Sequence, residues 1–165
     1  MKTKVLLMFG IILISGCTNQ IPKPMTDKEK GEIIEAVTKT AHALGEADNQ
    51  VNFLKFKDFF VESPDYITVT SGGSILNYNQ YMKREKDFFE SVSTLHVTNI
   101  NENIIVLERT SAVYTTEMKI EAISKTGEKL IFDNLVFGEI YKKIDGKWKI
   151  IFLQESWQPP VATGS

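Results

Sequence analysis

Tyr141-Lys142-Lys143-Ile144-Asp145-Gly146-Lys147-Trp148-Lys149-Ile150 reads as the end of one strand, a two-residue reversal and the start of the next. Asp-Gly suits that reversal because Gly, and Asp with its short polar side chain, accept the positive φ that a tight hairpin requires. Beyond the turn, Trp148, Ile150, Phe152, Gln154 and Ser156 alternate with Lys149, Ile151, Leu153, Glu155 and Trp157. Successive strand side chains point to opposite faces, so uninterrupted alternation predicts Trp148, Ile150, Phe152 and Gln154 on the core side. Ile151, Leu153 and Trp157 then fall on the outer side. That large apolar face predicts a homodimer unless an end of the chain covers it.

Upstream of this hairpin, residues 112–124 and 130–143 are strand-like and separated by the turn Lys125-Thr126-Gly127-Glu128, and a further strand covers 95–107. Ala112, Tyr114, Thr116, Met118, Ile120 and Ala122 make one mostly apolar side, against Thr115, Glu117, Lys119 and Glu121 on a wet side. Earlier in the chain the period changes. Thr26 and Glu29 have the spacing of a capping box, and Ile33, Ile34, Val37, Ala41 and Leu44 recur at helical intervals, predicting a first helix over 27–48. A shorter helix over 53–60 stops before Ser63-Pro64, and residues 66–70 and the neighbourhood of Ile75 read as short strands around Gly72-Gly73. Asn77 or Asn79 then caps a third helix carrying Tyr81, Met82, Phe88 and Phe89. Helices followed by antiparallel strands predict an α+β fold, with a curved antiparallel sheet wrapped on N-terminal helices.

This order is joined by short motifs: Asp48 closing the first helix, the aromatic segment 53–60 leading to Ser63-Pro64-Asp65-Tyr66, and Val106-Leu107 with Ala112-Val113-Tyr114 after a short turn. With the closing hairpin, they resemble the SnoaL-like branch of the nuclear transport factor 2-like superfamily over about residues 27–158. The resemblance implies a cone-shaped, cystatin-like roll whose mouth, between sheet and helices, holds a small and mostly apolar ligand. That superfamily includes isomerases, cyclases and dehydratases as well as proteins without a known reaction, so the fold leaves function open.

Ketosteroid-isomerase-like members use a carboxylate base, with tyrosine or protonated carboxyl donors holding the oxyanion. The matching donors here are Tyr66, Tyr81 and Tyr114, and the candidate carboxylates are Asp48, Asp65, Asp133 and Glu155. A competing reading makes Asp48 and Asp65 element terminators and leaves Asp133 and Glu155 in solvent. Many relatives carry histidine where this chain has Gln154, two residues before Ser156. Glutamine forms hydrogen bonds but does not titrate near neutral pH, which weakens acid–base catalysis there and leaves open a binding role or the pairing of buried backbone groups. The expected pocket set is Tyr66, Tyr81, Tyr114, Thr116, Met118, Phe152 and Gln154. Phe53, Phe56, Phe59, Phe60, Phe88 and Phe89 could line a pocket, but at their spacing they read first as core.

His42 and His96 are the only histidines and Cys17 the only cysteine, so neither a zinc nor an iron site is expected. The sequence has no nucleophile elbow, phosphate-cradling glycine loop or dinucleotide fingerprint, and no cofactor is expected.

The first residues address location. Lys2 and Lys4, the apolar run 5–14 and Ile14-Ser15-Gly16-Cys17 have the layout of an export signal. A ten-residue helix rising ~1.5 Å per residue covers ~15 Å, half of a ~30 Å hydrocarbon core, which is too short for a permanent span. Ile14-Ser15-Gly16-Cys17 resembles the bacterial lipobox. The resemblance implies a diacylglycerol on the Cys17 thiol, cleavage before it and acylation of the new amino group, giving the two or more chains that anchor stably. Thr18 in place of Asp resembles sorting to the periplasmic face of the outer membrane in a Gram-negative source.

The expected organisation is a signal peptide over 1–16, lipidated cysteine and linker over 17–26, one domain over 27–158 and a flexible tail over 159–165. Residues 17–165 number 149 and carry 17 basic and 21 acidic side chains, a formal charge of −4 that does not suit nucleic acid. The expected function is a membrane-anchored, extracytoplasmic domain binding a small amphipathic ligand or a partner protein. Its rivals are an isomerase, cyclase or dehydratase acting on a hydrophobic carbonyl compound, and a structural envelope protein dimerising through its sheet.

Overall fold

A capping box opens the first helix: the Glu29 backbone N–H donates to Thr26 Oγ1 at 3.2 Å, and the Thr26 N–H donates to Glu29 Oε2 at 2.7 Å. In this computed structural model, which describes residues 23–157, the helix is α1 (Asp27–Asn49). The signal segment, Cys17, most of the linker and the tail lie outside the described residues. The end of the linker that is described is tied down, since Arg109 Nη2 donates to the carbonyls of Lys23 and Pro24 at 3.0 and 3.5 Å. Val37, Ala41, Leu44 and Ala47 form the buried stripe of α1, and Ile34, expected within it, is exposed.

After α1 come α2 (Phe53–Lys57), β1 (Ile67–Val69), β2 (Ile75–Leu76) and α3 (Tyr78–Ser91). Four long strands follow: β3 (Val92–Glu108), β4 (Ser111–Ser124), β5 (Lys129–Ile144) and β6 (Lys147–Ser156). With β1 and β2 they make one six-stranded sheet of order β2-β1-β6-β5-β4-β3. Asn77, one of the two expected caps, opens α3 by accepting from the Gln80 N–H at 3.0 Å. Asp145 and Gly146, with φ of 49° and 81°, form the expected reversal between β5 and β6.

Two expectations are corrected. The second helix ends at Lys57 rather than near Phe60, because the chain there joins the sheet: the Ile150 N–H donates to the Phe59 carbonyl at 2.8 Å, and the Val61 N–H to the Ile150 carbonyl at 3.0 Å. This contact leads the chain along β6 in the same direction, so β1 pairs with β6 in parallel and the sheet is mixed, not wholly antiparallel.

The second correction decides the site. Tyr141 pairs with Ile150 and Ile140 with Phe152, leaving Ile151 without an opposite residue. One unpaired residue is a β-bulge, and it exchanges the faces of everything beyond it. Trp148 and Ile150 face inward as expected, but past the bulge the inner residues are Leu153, only 2% exposed, and Glu155. Phe152 and Gln154 go outside. The proposed dimer face of Ile151, Leu153 and Trp157 therefore does not exist as one surface, since Leu153 and Trp157 line the interior. What crosses the outer face is a row of cross-strand neighbours, Ile105, Val113, Ile140, Phe152 and Ile67. A second bulge, with Asn134 at φ 56°, lets Phe132 and Leu135 both turn inward opposite Ile120 and Met118.

Candidate functional site

Between the sheet and the helices lies a cavity of about 660 Å³. Its wall is largely apolar: Leu44 from α1, Phe56 and Phe60 from the α2 region, Phe88 and Phe89 from α3, and Met118, Ile120, Phe132, Leu135, Phe137 and Leu153 from the sheet. The aromatic side chains brace one another, with ring centroids 4.8 Å apart for Phe56–Phe60 and 5.1 Å for Phe56–Phe89. All six phenylalanines expected as core belong to the buried cluster or pack against it, and four of them, Phe56, Phe60, Phe88 and Phe89, also line the cavity. The exposed β1–β2 turn, with Thr70, Ser71, Gly72 and Ser74, forms a rim, and Trp157 stands edge-on to Phe132 at 5.9 Å.

Into this apolar space project four carboxyl groups and one guanidinium: Asp48 from α1, Glu85 and Arg84 from α3, Glu139 from β5 and Glu155 from β6. Arg84 is held by the two carboxylates beside it. Its Nε donates to Glu85 Oε1 at 2.8 Å, its Nη1 to Glu155 Oε2 at 3.1 Å and its Nη2 to both carboxylates, while its carbon lies 4.9 Å from the centre of the Tyr81 ring. Burial opposes the Arg84 charge, but hydrogen bonds and charge from Glu155 and Glu85 outweigh it and hold the guanidinium protonated. Burial raises Glu85, with Arg84 pulling the other way.

Asp48 and Glu139 have no such partner. Asp48 is raised well above the usual carboxylate range by burial and then by the charges of Glu85 and Glu139. Glu139 is 6% exposed, and burial pushes its carboxyl up to about 7 against the opposing influence of the Tyr141 hydroxyl. Glu139 Oε2 and Tyr141 Oη are both buried without a hydrogen bond, side by side on one strand face. Buried polar atoms normally find partners, so an orphaned carboxyl oxygen at a cavity wall marks a place where a ligand would supply one. Among the described residues, no group of three or more His, Cys, Asp or Glu is placed to hold a metal ion.

The structure divides the expected pocket set. Tyr81 and Met118 line the cavity. Tyr66 is buried behind Tyr81, ring centroids 5.9 Å apart, with its hydroxyl 2.7 Å from Thr68 Oγ1. Tyr114 and Thr116 are buried on the inner face of β4 but away from the wall, and the Tyr114 hydroxyl donates to Glu102 Oε1 at 2.6 Å. His42 Nε2 lies 3.0 Å from the same carboxylate, which links α1 to β3. Phe152 and Gln154 are outside. Of the candidate carboxylates, Asp65 and Asp133 are exposed, whereas Asp48 and Glu155 enter the cavity.

Sequence reasoning missed Glu85, Glu139 and Arg84. The first two left a signal: Glu85 lies four residues from Tyr81 and from Phe89 on the buried stripe of α3, and Glu139 shares the inward period of Phe137 and Tyr141. A lone acid at an apolar-face position is a candidate site residue.

Glu139 gives the fold a pH dependence of known sign. Its ordinary value of 4.5 is raised to about 7 in the folded chain, so its contribution is complete below 4.5 and is lost as pH rises towards 7. The gap corresponds to about 3 kcal/mol. Urea unfolding of Glu139→Gln should show the variant gaining on the wild type by up to that amount between pH 4.5 and pH 8. Parallel stability curves would show that the carboxyl ionises at no cost.

No protein-family model matches the chain. No curated protein matches it in sequence. Solved structures do. A provisionally assigned scytalone dehydratase from Novosphingobium aromaticivorans superposes with a TM-score of 0.72 at 12% identity, covering 81% of this chain and 89% of that one. A nuclear transport factor 2-like superfamily protein from Salmonella enterica serovar Typhimurium gives 0.68 at 15% identity, covering 82% and 99%. A type 2 hexachlorocyclohexane dehydrochlorinase gives 0.67 at 10% identity, covering 84% and 95%. Likeness at these identities speaks for architecture, and with the six-stranded mixed sheet curved over its N-terminal helices the chain has the nuclear transport factor 2-like α+β fold.

Proposed function

We propose that this chain is a membrane-tethered binding protein whose cavity takes up a small amphipathic molecule outside the cytoplasm. The observation that carries the reading is the 660 Å³ void walled by aromatic and aliphatic side chains with a few convergent polar groups. That size and lining are typical of small-molecule sites, where apolar area supplies affinity and a few polar groups fix orientation. A folded chain does not keep such a void as packing: in a solid core these side chains would gain contacts by closing it. Two of the structural neighbours are named for elimination reactions, but likeness of fold does not transfer a reaction, so the reading rests on the cavity itself.

The tether is supported by the sequence around Cys17; among the described residues no helix is long and apolar enough to cross a membrane. Lipid chains on Cys17 would hold the domain at a surface where amphipathic molecules partition.

Native mass spectrometry of the purified full chain, with thermal-shift screening of apolar envelope metabolites, should reveal a retained or stabilising molecule. Met118→Trp, which fills the cavity, should abolish the shift. A library without a single cavity-dependent shift, and no retained mass, would contradict the binding reading. In bacterial cells, wild-type chain should sediment with membranes and Cys17→Ser should be released to the soluble fraction; equal membrane association of both would contradict lipid tethering.

A further inference from the structure

The cavity wall has an uneven charge account. Asp48, Glu85, Glu139 and Glu155 face it, and Arg84 is the sole basic residue among those that line it. Arg84 bonds to Glu85 and Glu155 and lies over the Tyr81 face, and none of its hydrogen bonds goes to Asp48 or Glu139. Asp48 and Glu139 therefore both line the apolar cavity without a cation bound to either. Glu139 Oε2 and the neighbouring Tyr141 hydroxyl are both buried without a hydrogen bond, so this part of the wall carries polar atoms that a ligand group could partner.

A ligand's polar end determines how that region is satisfied. A carboxylate or phosphate brings no positive charge and would be repelled by Asp48 and Glu139 as they ionise. A metal ion would need three or more clustered ligands, which the described residues do not present. An ammonium group supplies three N–H donors and one positive charge, and its hydrogen bonds to carboxylates are of the strong, charge-assisted kind. Resting on the reading of the cavity as an amphiphile site, we propose that its ligand is a cationic amphiphile, an apolar body bearing a protonated amine seated between Asp48 and Glu139.

The inference fixes a pH signature. The groups facing the seat are Asp48 from α1, Tyr81, Arg84 and Glu85 from α3, Glu139 with Tyr141 beside it from β5, and Glu155 from β6, with Tyr66 behind Tyr81. Arg84 stays charged and burial keeps the tyrosines neutral, so the acids set the response. A bound ammonium favours ionised Asp48 and Glu139, so binding releases protons and strengthens as pH rises from 6 to 8. A neutral ligand accepting a proton from Glu139, such as a ketone, would show the opposite trend.

Calorimetry of the full chain with octylamine, octanol and octanoate at pH 6 and pH 8 tests this directly. At pH 8 octylamine should bind roughly tenfold or more tighter than octanol, with release of protons that scales with buffer ionisation enthalpy, and octanoate should not bind. Glu139→Gln and, independently, Asp48→Asn should each remove most of the amine preference, read as the ratio of octylamine to octanol affinity. Met118→Trp should remove binding of both. Octanol binding as tightly as octylamine would overturn the cationic assignment and leave the amphiphile reading standing. Failure of all three probes to bind would overturn both, and octylamine binding that survives Met118→Trp would place it on the surface and overturn the seat.

Discussion

The pairing of β5 with β6 has to keep Trp148 and Ile150 packed against the helices while β6 also receives β1 and residues 59–61 along its other edge. The sheet meets both demands by leaving Ile151 unpaired. Everything beyond that residue changes face, and three of the cavity's walls depend on it: Leu153 as an apolar floor, Glu155 as the far partner of Arg84, and Trp157 against Phe132. Without the bulge, Gln154 and Phe152 would occupy the interior and Arg84 would face the cavity with Glu85 alone. A one-residue slip moves a whole set of side chains across a sheet, and here it supplies half of the site's charge pairing.

That pairing explains how an apolar cavity tolerates so many ionisable groups. A buried ion survives when opposite charge and hydrogen bonds replace its water. Arg84, Glu85 and Glu155 meet the condition with several charge-assisted hydrogen bonds. Asp48 and Glu139 do not, and their raised proton affinity is the physical response: each lowers its cost by staying neutral. The apo protein thereby holds two acids ready to ionise when positive charge arrives. The ion-paired trio is structural, and the unpaired duo is where binding free energy is available.

Much of the architecture was legible in the residue order. The Thr26–Glu29 capping box, the Asn77 cap, the Asp145-Gly146 reversal and the alternation of Ala112, Tyr114 and Thr116 all carry local chemistry that tertiary packing leaves intact. The parallel pairing of β1 with β6 was not legible, because nothing in Ile67–Val69 encodes its neighbour's direction. The bulge was hidden for a related reason. Ile150-Ile151-Phe152-Leu153 is apolar throughout, so no polar residue reports where the period breaks, and counting alone sent Gln154 inward and Glu155 out. Glu85 and Glu139 were readable in principle as acids on apolar faces. Whether those faces enclosed a solid core or a void depended on helix placement that no local pattern contains.

Cys17 is the only cysteine in the chain, so a single introduced thiol on a Cys17→Ser background reports its own exposure. The most direct measurement compares labelling rates of Leu153→Cys and Gln154→Cys in the folded protein, with urea-unfolded samples as the common reference. The bulge at Ile151 predicts that Gln154→Cys labels near the unfolded rate and that Leu153→Cys is slower by roughly tenfold or more. Fast labelling at 153 with protection at 154 would mean that β6 alternates without interruption, and the cavity described above would have the wrong walls.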